Sequence, residues 1–234
     1  MSDPIVIVSA RRTPIGAFQG VLTGATAPQL GAAAIRAAIE SAGLKGEDVG
    51  EVIMGCVLPA GQGQAPARQA ARGAGLPDAV GATTVNKVCG SGMKATMLAH
   101  DLIAAGSADY VLAGGMESMS NAPYLLAKAR SGYRVGHDRV LDHMLLDGLE
   151  DAYETGRSMG DFGEATAQAY QFTRAEQDAY AVETLTRARR AVEGGAFKDE
   201  IVPVAVPAKG GDRLVEHDEN PLKVLPEKIP TLKP

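Results

Sequence analysis

Four short runs of apolar or β-branched residues are separated by stretches with helical spacing: Ile5–Val8, Val52–Val57, Thr83–Val85 and Tyr110–Ala113. A run with no polar alternation suits a strand covered on both faces. Pro28 to Ser41, Ala67 to Gly73 and Met93 to Ala105 read as helices between these runs, and the last, apolar nearly all round, is expected to be buried. In the first, Ile35, Ala38, Ile39 and Ala42 share a face, and Gly43 supplies the stop. Alternating strand and helix implies right-handed crossovers, a mainly parallel sheet and helices on both of its faces. The chain has 234 residues, enough for one large domain or a domain with an insertion. Only 4% of residues are aromatic, while glycine and alanine abound, which suits helices lying close on a sheet.

The most chemically suggestive stretch is Val85-Asn86-Lys87-Val88-Cys89-Gly90-Ser91-Gly92-Met93-Lys94-Ala95. It reads as a strand end, a tight turn and a helix start, with a thiol on the turn. The first amides of a helix lack intrahelical acceptors, and the helix dipole adds partial positive charge there. A thiolate at that place is stabilised, and the thiolate is the nucleophile. Turn chemistry alone leaves open a buried core cysteine, since free Cys is often fully buried. Position tilts the balance toward chemistry. In parallel α/β sheets ligands bind beyond the carboxyl ends of the strands, where Cys89 and Gly114-Gly115-Met116 fall. Gly90 to Ala95 also fits the dinucleotide fingerprint G-x-G-x-x-A, but the expected acid is misplaced. Asp109 precedes the next apolar run instead of following it. Cys56 lies inside an apolar run and reads as a core residue, and His100 as a rim histidine rather than a base.

After Ser120 the pattern changes. Residues 121–138 are loop-like and carry Lys128, Arg130 and Arg134, with Arg139 just beyond. Val140 to Tyr153 is expected to be helical, with Leu141, Met144, Leu145 and Leu149 on one face, and so is Gly163 to Phe172. Thr173 and Glu176 have capping-box spacing and open a helix to about Val192. Ile201–Val206 reads as an edge strand because of Pro203, pairing with Arg213–Val215 as a hairpin. The proline-spaced tail from Pro221 reads as an extended linker. The expected division is a nucleophile domain at 1–118 and a largely helical insertion with a small hairpin at 119–234.

A net charge of −5 argues against a nucleic-acid partner, and no run is long and apolar enough for a transmembrane helix. Two cysteines without motif spacing fit neither a disulfide scaffold nor a metal site, and suit a reducing compartment. A strand starting almost at once leaves no room for a secretory signal at this end, so the cytoplasm is expected.

Asn86 to Ala95 closely resembles the nucleophile motif of the thiolase family, the acetyl-CoA acetyltransferases. Gly114-Gly115-Met116-Glu117-Ser118-Met119-Ser120, Ser9 to Gly16 and Gly61 to Gln69 are similar to further family motifs, in the family's order. The resemblance runs from end to end. It implies a thiolase-like α/β fold in which Cys89 accepts an acyl group from acyl-CoA, for Claisen condensation or for thiolysis of a 3-ketoacyl-CoA. The Cys89 N–H then serves one oxyanion. Leu149, Ser158 and Met159 stand where thiolases contact pantetheine; many bacterial members have His where this chain has Ser158. Lys223 is the cation nearest the place, by Leu222, where the family often has an arginine reaching the CoA nucleotide, and lysine lacks arginine's planar fork. No cofactor is held permanently; coenzyme A and acyl-CoA are substrates. The resemblance also implies a homodimer or homotetramer, with the 121–138 region in assembly.

The family's Asn-Glu-Ala-Phe, Gly-His-Pro and Cys-x-Gly-Gly-Gly motifs do not occur in these residues. His100, His137, His143 and His217 lack the Gly-His-Pro context. The expectation is therefore an N-terminal portion, missing the C-terminal half, that does not turn over alone and exposes apolar surface. Two other readings stand beside it. A ketoacyl synthase of the same fold is disfavoured by the Gly114–Ser120 motif. A non-catalytic acyl-CoA-binding or assembly subunit is the other.

Overall fold

The computed structural model describes residues 4–233. Helix α1, Ala27–Ala42, is opened by Thr26 and Gln29, whose side chains and backbone N–H groups satisfy one another. It is closed by Gly43 at φ +68°, a left-handed conformation that favours glycine. Strand β1 (Glu51–Gly55), helix α2 (Pro66–Gly73), strand β2 (Gly81–Val85), helix α3 (Ser91–Ala104) and strand β3 (Val111–Gly115) follow in strict alternation. The three strands form one parallel sheet in the order β2-β1-β3, with Glu51 level with Gly81 and Val111.

The central strand β1 sorts its side chains between two layers. Val52 and Met54, with Cys56 just beyond the strand, point into a core shared with Ile35 of α1 and Ala67, Ala70 and Ala71 of α2. Burying Ile35 and Val52 fully is worth about 1.5–3 kcal/mol each. Gly55 faces the other layer. A Cβ there would lie 2.6 Å from the Ser91 Cβ, so only glycine lets α3 descend onto the strand end. Helices thus cover both faces, as the sequence pattern requires.

The rest builds smaller units. Strands β4 (Tyr124–Leu125) and β5 (Leu141–Asp142) pair antiparallel. Helices α4 (Met159–Ala169) and α5 (Arg174–Glu193) follow, each with a capping box, Ser158 with Asp161 and Thr173 with Glu176. Strands β6 (Val204–Val206) and β7 (Arg213–Val215) form the expected hairpin, which packs with Leu22, Ala25 and Leu30 in a second core. The short helix α6 spans Glu219–Lys223.

Five expectations are corrected. Ile5–Val8 is not a strand; no described segment pairs with it, and its side chains are 38–80% exposed. A strand is held by its ladder, and periodicity does not reveal whether a partner exists. Val140–Tyr153 is not a helix. After β5 it forms one π-helical turn, Leu145–Leu149, which ends where the Glu150 N–H donates to the Leu145 carbonyl. Helix α4 starts at Met159, four residues earlier than its apolar pattern suggests, because Ser158 and Asp161 cap it. Helix α3 is not buried all round: Ser91, Ala95 and Ala99 face the sheet, while Met93 is 74% and Met97 51% exposed.

The fifth concerns the tail, which, with the residues just ahead of it, is folded and docked rather than an extended linker. Asp218 pairs with Arg12 at 2.8 and 3.0 Å and accepts the Ile15 N–H. Buried Glu219 accepts the N–H groups of Ala17 and Val21 at 2.9 and 2.8 Å and pairs with Lys223. Arg189 of α5 donates to the Pro221 and Val224 carbonyls, and Arg174 to that of Leu232. Buried Ile229 anchors the last turn.

Candidate active site

Cys89 is exposed, on the turn that joins β2 to α3. The turn is tightly built. Val88 has φ +48°, a left-handed conformation that a β-branched residue adopts only under constraint, at a cost of about 1–3 kcal/mol. Its N–H donates to the Asn86 side chain at 2.9 Å. The N–H groups of Gly90 and Ser91 donate to the Lys87 and Val88 carbonyls. The Ser91 hydroxyl, 4% exposed, accepts the Lys87 N–H at 2.8 Å and donates to the Val88 carbonyl at 2.6 Å.

Gly90 precedes α3 without a side-chain cap, unlike the serine and threonine ahead of α1, α4 and α5. Among the described residues the Cys89 N–H has no acceptor. The thiol therefore sits beside one unpaired donor, its own N–H, and the positive end of a helix dipole. Gly92 brings α3 against Gly114 and Gly115 at the end of β3. The turn thus stands at the carboxyl edge of all three parallel strands.

Cys56 is at the same edge but is a different kind of residue. It is 1% exposed. Burial, reinforced by the neighbouring Glu117 carboxylate, pushes its thiol up to about 11. Its N–H donates to the Val85 carbonyl, which ties the two strand ends together. Glu117 accepts the Val57 and Leu58 N–H groups at 2.7 and 3.2 Å. Ser118 donates to the Ala25 carbonyl, the Asn121 amide to Thr23 and Ala25, and the Ser120 hydroxyl accepts the Gln19 N–H. The Gly114–Ser120 segment is thus a set of tethers around the site, and the β1 exit loop and residues 19–25 depend on it.

Leu149, Ser158 and Met159 come together. Glu150 and Ser158 form an antiparallel bridge, which puts the end of the π turn beside the start of α4. Gly148 lies against Leu58, just past β1, so this group adjoins the same edge of the sheet as the turn with Cys89. Met159 is exposed, and the Ser158 hydroxyl is engaged with Asp161. Lys223 sits elsewhere, on α6, where its cation is paired with Glu219.

No histidine hydrogen-bonds to Cys89 among the described residues. His100 is exposed on the outer side of α3, where it lines a shallow groove with Met93, Thr96, Met97 and Asp101. His143 is buried and had no signal in the sequence: its Nε2 accepts the Ala60 N–H at 3.4 Å, and its Nδ1 lies 2.5 Å from Asp147. It links the β1 exit loop to the π turn. No group of three potential ligands among the described residues is placed to hold a metal, and no described helix is long and apolar enough to cross a membrane.

Comparison with known proteins gives one consistent picture. The family model described as thiolase, N-terminal domain, matches residues 5–234. An acetyl-CoA acetyltransferase of Pseudomonas aeruginosa is 51% identical over 218 residues, covering 93% of this chain and 55% of the relative. One of Syntrophomonas wolfei is 46% identical over 236 residues, covering 100% and 59%. A mitochondrial acetyl-CoA acetyltransferase of Bos taurus is 48% identical over 232 residues, covering 99% and 54%. The chain thus spans a little over half the length of the curated relatives it matches.

Proposed function

The chain belongs to the thiolase family, and from that premise we propose that Cys89 is the residue that takes an acyl group from acyl-CoA. One observation carries the reading: an exposed cysteine on a constrained turn, ahead of uncapped helix amides, at the carboxyl edge of a parallel sheet. The Cys89 thiolate adds to the thioester carbonyl. The oxyanion that forms is stabilised by donors fixed in advance, one of them the free Cys89 N–H. Collapse expels CoA as its thiolate and leaves a thioester on Cys89. A second acyl-CoA, having lost an α-proton, attacks that thioester, forms a carbon–carbon bond and releases Cys89 as a 3-ketoacyl-CoA departs. Thiolysis is the reverse, with the CoA thiol cleaving the ketoacyl chain.

Pantetheine runs past Leu149, Ser158 and Met159 in this reading, which the Glu150–Ser158 bridge and the packing of Gly148 on Leu58 support. Lys223 is the weaker part of the CoA assignment, because Glu219 already neutralises it. The base and the remaining oxyanion donors belong to the family motifs that these residues do not contain, so this chain alone does not turn over. Assembly of like subunits and a cytoplasmic setting complete the reading.

The test is single-turnover acylation. The chain is incubated with acetyl-CoA, digested and analysed by mass spectrometry. An acetyl group on the Cys89 peptide, absent from Cys89→Ala, is expected; an unmodified Cys89, or an adduct on Cys56, overturns the assignment. Sustained formation of acetyl-CoA from acetoacetyl-CoA and CoA would overturn the claim that these residues do not turn over alone.

A further inference from the structure

We propose that Ser91 is a positioning residue for Cys89: its buried hydroxyl staples the turn that carries the thiol. This rests on the reading of Cys89 as the acyl acceptor. Three observations converge. Ser91 is 4% exposed, so its side chain is not a solvent-facing helix residue. Its hydroxyl uses both of its functions on the turn, accepting from the Lys87 N–H and donating to the Val88 carbonyl, the groups on either side of the left-handed residue. Its Cβ is locked from below, because Gly55 leaves no more room than a glycine allows.

The staple has a purpose only if the turn resists it. Val88 at φ +48° is such a resistance: a valine left to itself relaxes toward extended backbone, which would swing Cys89 away from the start of α3. The clamp runs from the floor of the sheet, through Ser91, to Val88, and fixes the direction of the Cys89 Cα–Cβ bond. Ser91 touches no reacting atom; it acts through Cys89.

This has a consequence for double substitution. Removing the hydroxyl harms Cys89 only while residue 88 strains to leave its conformation. Glycine at 88 adopts φ +48° freely. Ser91→Ala should therefore be harmful in the Val88 background and largely harmless with Val88→Gly.

The probe is iodoacetamide, with labelling of Cys89 and Cys56 followed by mass spectrometry from pH 6 to 10 in the chain, S91A, V88G and the double variant. The expected result for S91A is about tenfold slower labelling of Cys89, with Cys56 still protected. Adding V88G should restore most of the rate. Cys89 labelling in S91A within twofold of the parent overturns the proposal. So does parallel exposure of Cys56, which marks a general loosening, and so does a double variant as impaired as S91A. Acetyl transfer from acetyl-CoA is measured alongside. If the parent chain fails to acetylate Cys89, the acyl-acceptor reading falls while the labelling still decides the role of the staple.

Discussion

At the scale of single residues, chemical character follows position more than type. The chain has two cysteines. Cys56 points into the α1–α2 core with its thiol pushed up to about 11, while Cys89 stands exposed on its turn. At pH 8, iodoacetamide should label Cys89 completely before Cys56 reacts, and comparable rates at the two sites would contradict the structure. Gly55 permits a second test. A methyl group there would sit 2.6 Å from the Ser91 Cβ and 2.8 Å from the Gly92 nitrogen, so Gly55→Ala must lift α3 off β1. Overpacking of this kind costs about 1–3 kcal/mol. Urea unfolding should show that loss, together with slower labelling of Cys89. Much of this was legible in the sequence: a cysteine after a β-branched run and before glycines announces a strand–turn–helix, and one inside an apolar run announces core. The strain at Val88, the double role of Ser91 and the pairing of Lys223 were not, because each depends on a neighbour fixed only by the fold.

At the scale of elements, the parallel αβ layers were readable because period and punctuation agree within each segment. What local pattern missed were elements held by distant partners. The tail from Pro221 looked like a linker, yet Arg189 and Arg174 of α5 hold its carbonyls, and just ahead of it Asp218 and Glu219 fasten residues 12–21 from some two hundred positions away. That latch has a pH dependence. Burial alone would raise the Glu219 carboxyl, but hydrogen bonds from Lys223 and from the Val21 and Ala17 N–H groups outweigh it and hold it at about 2, below its ordinary 4.5. Asp218 is held low in the same way by Arg12 and the Ile15 N–H against its own burial. A carboxyl lowered by folding adds stability that is fully present above its unfolded value and disappears as pH falls through its folded value. The urea midpoint should therefore fall between pH 4.5 and about 2, and Glu219→Gln should flatten that slope and lower stability at pH 7. An unchanged slope would remove Glu219 from the latch. Thr173→Ala offers a simpler control: it removes the hydroxyl half of the capping box of α5 and should cost about 1 kcal/mol at pH 7, without touching Cys89.

At the scale of the whole molecule, the distribution of apolar surface is lopsided. The core under α1 and α2 is closed, while the outer side of α3 presents Met93 and Met97 to solvent, and Ile5, Val6, Ile7 and Val8 remain unpaired. Met93 and Met97 lie one turn apart on the exposed side of α3, in a groove they share with Thr96, His100 and Asp101, and exposed apolar side chains grouped in this way favour contact with another surface. The low stability of an unpaired Ile-Val run adds to the tendency, since it offers backbone donors and acceptors to any strand that arrives. The chain should therefore associate with itself in a concentration-dependent way, seen in sedimentation velocity over a range of loadings. Met93→Lys with Met97→Glu should weaken that association. The folded chain should keep its melting temperature to within a few degrees, because Met93 is 74% and Met97 51% exposed. If the double variant associates as strongly as the parent, the face on α3 is not the one that joins copies, and the Ile5–Val8 run becomes the segment to alter next. If it melts many degrees lower, those methionines are buried in solution, and the outer side of α3 is not free.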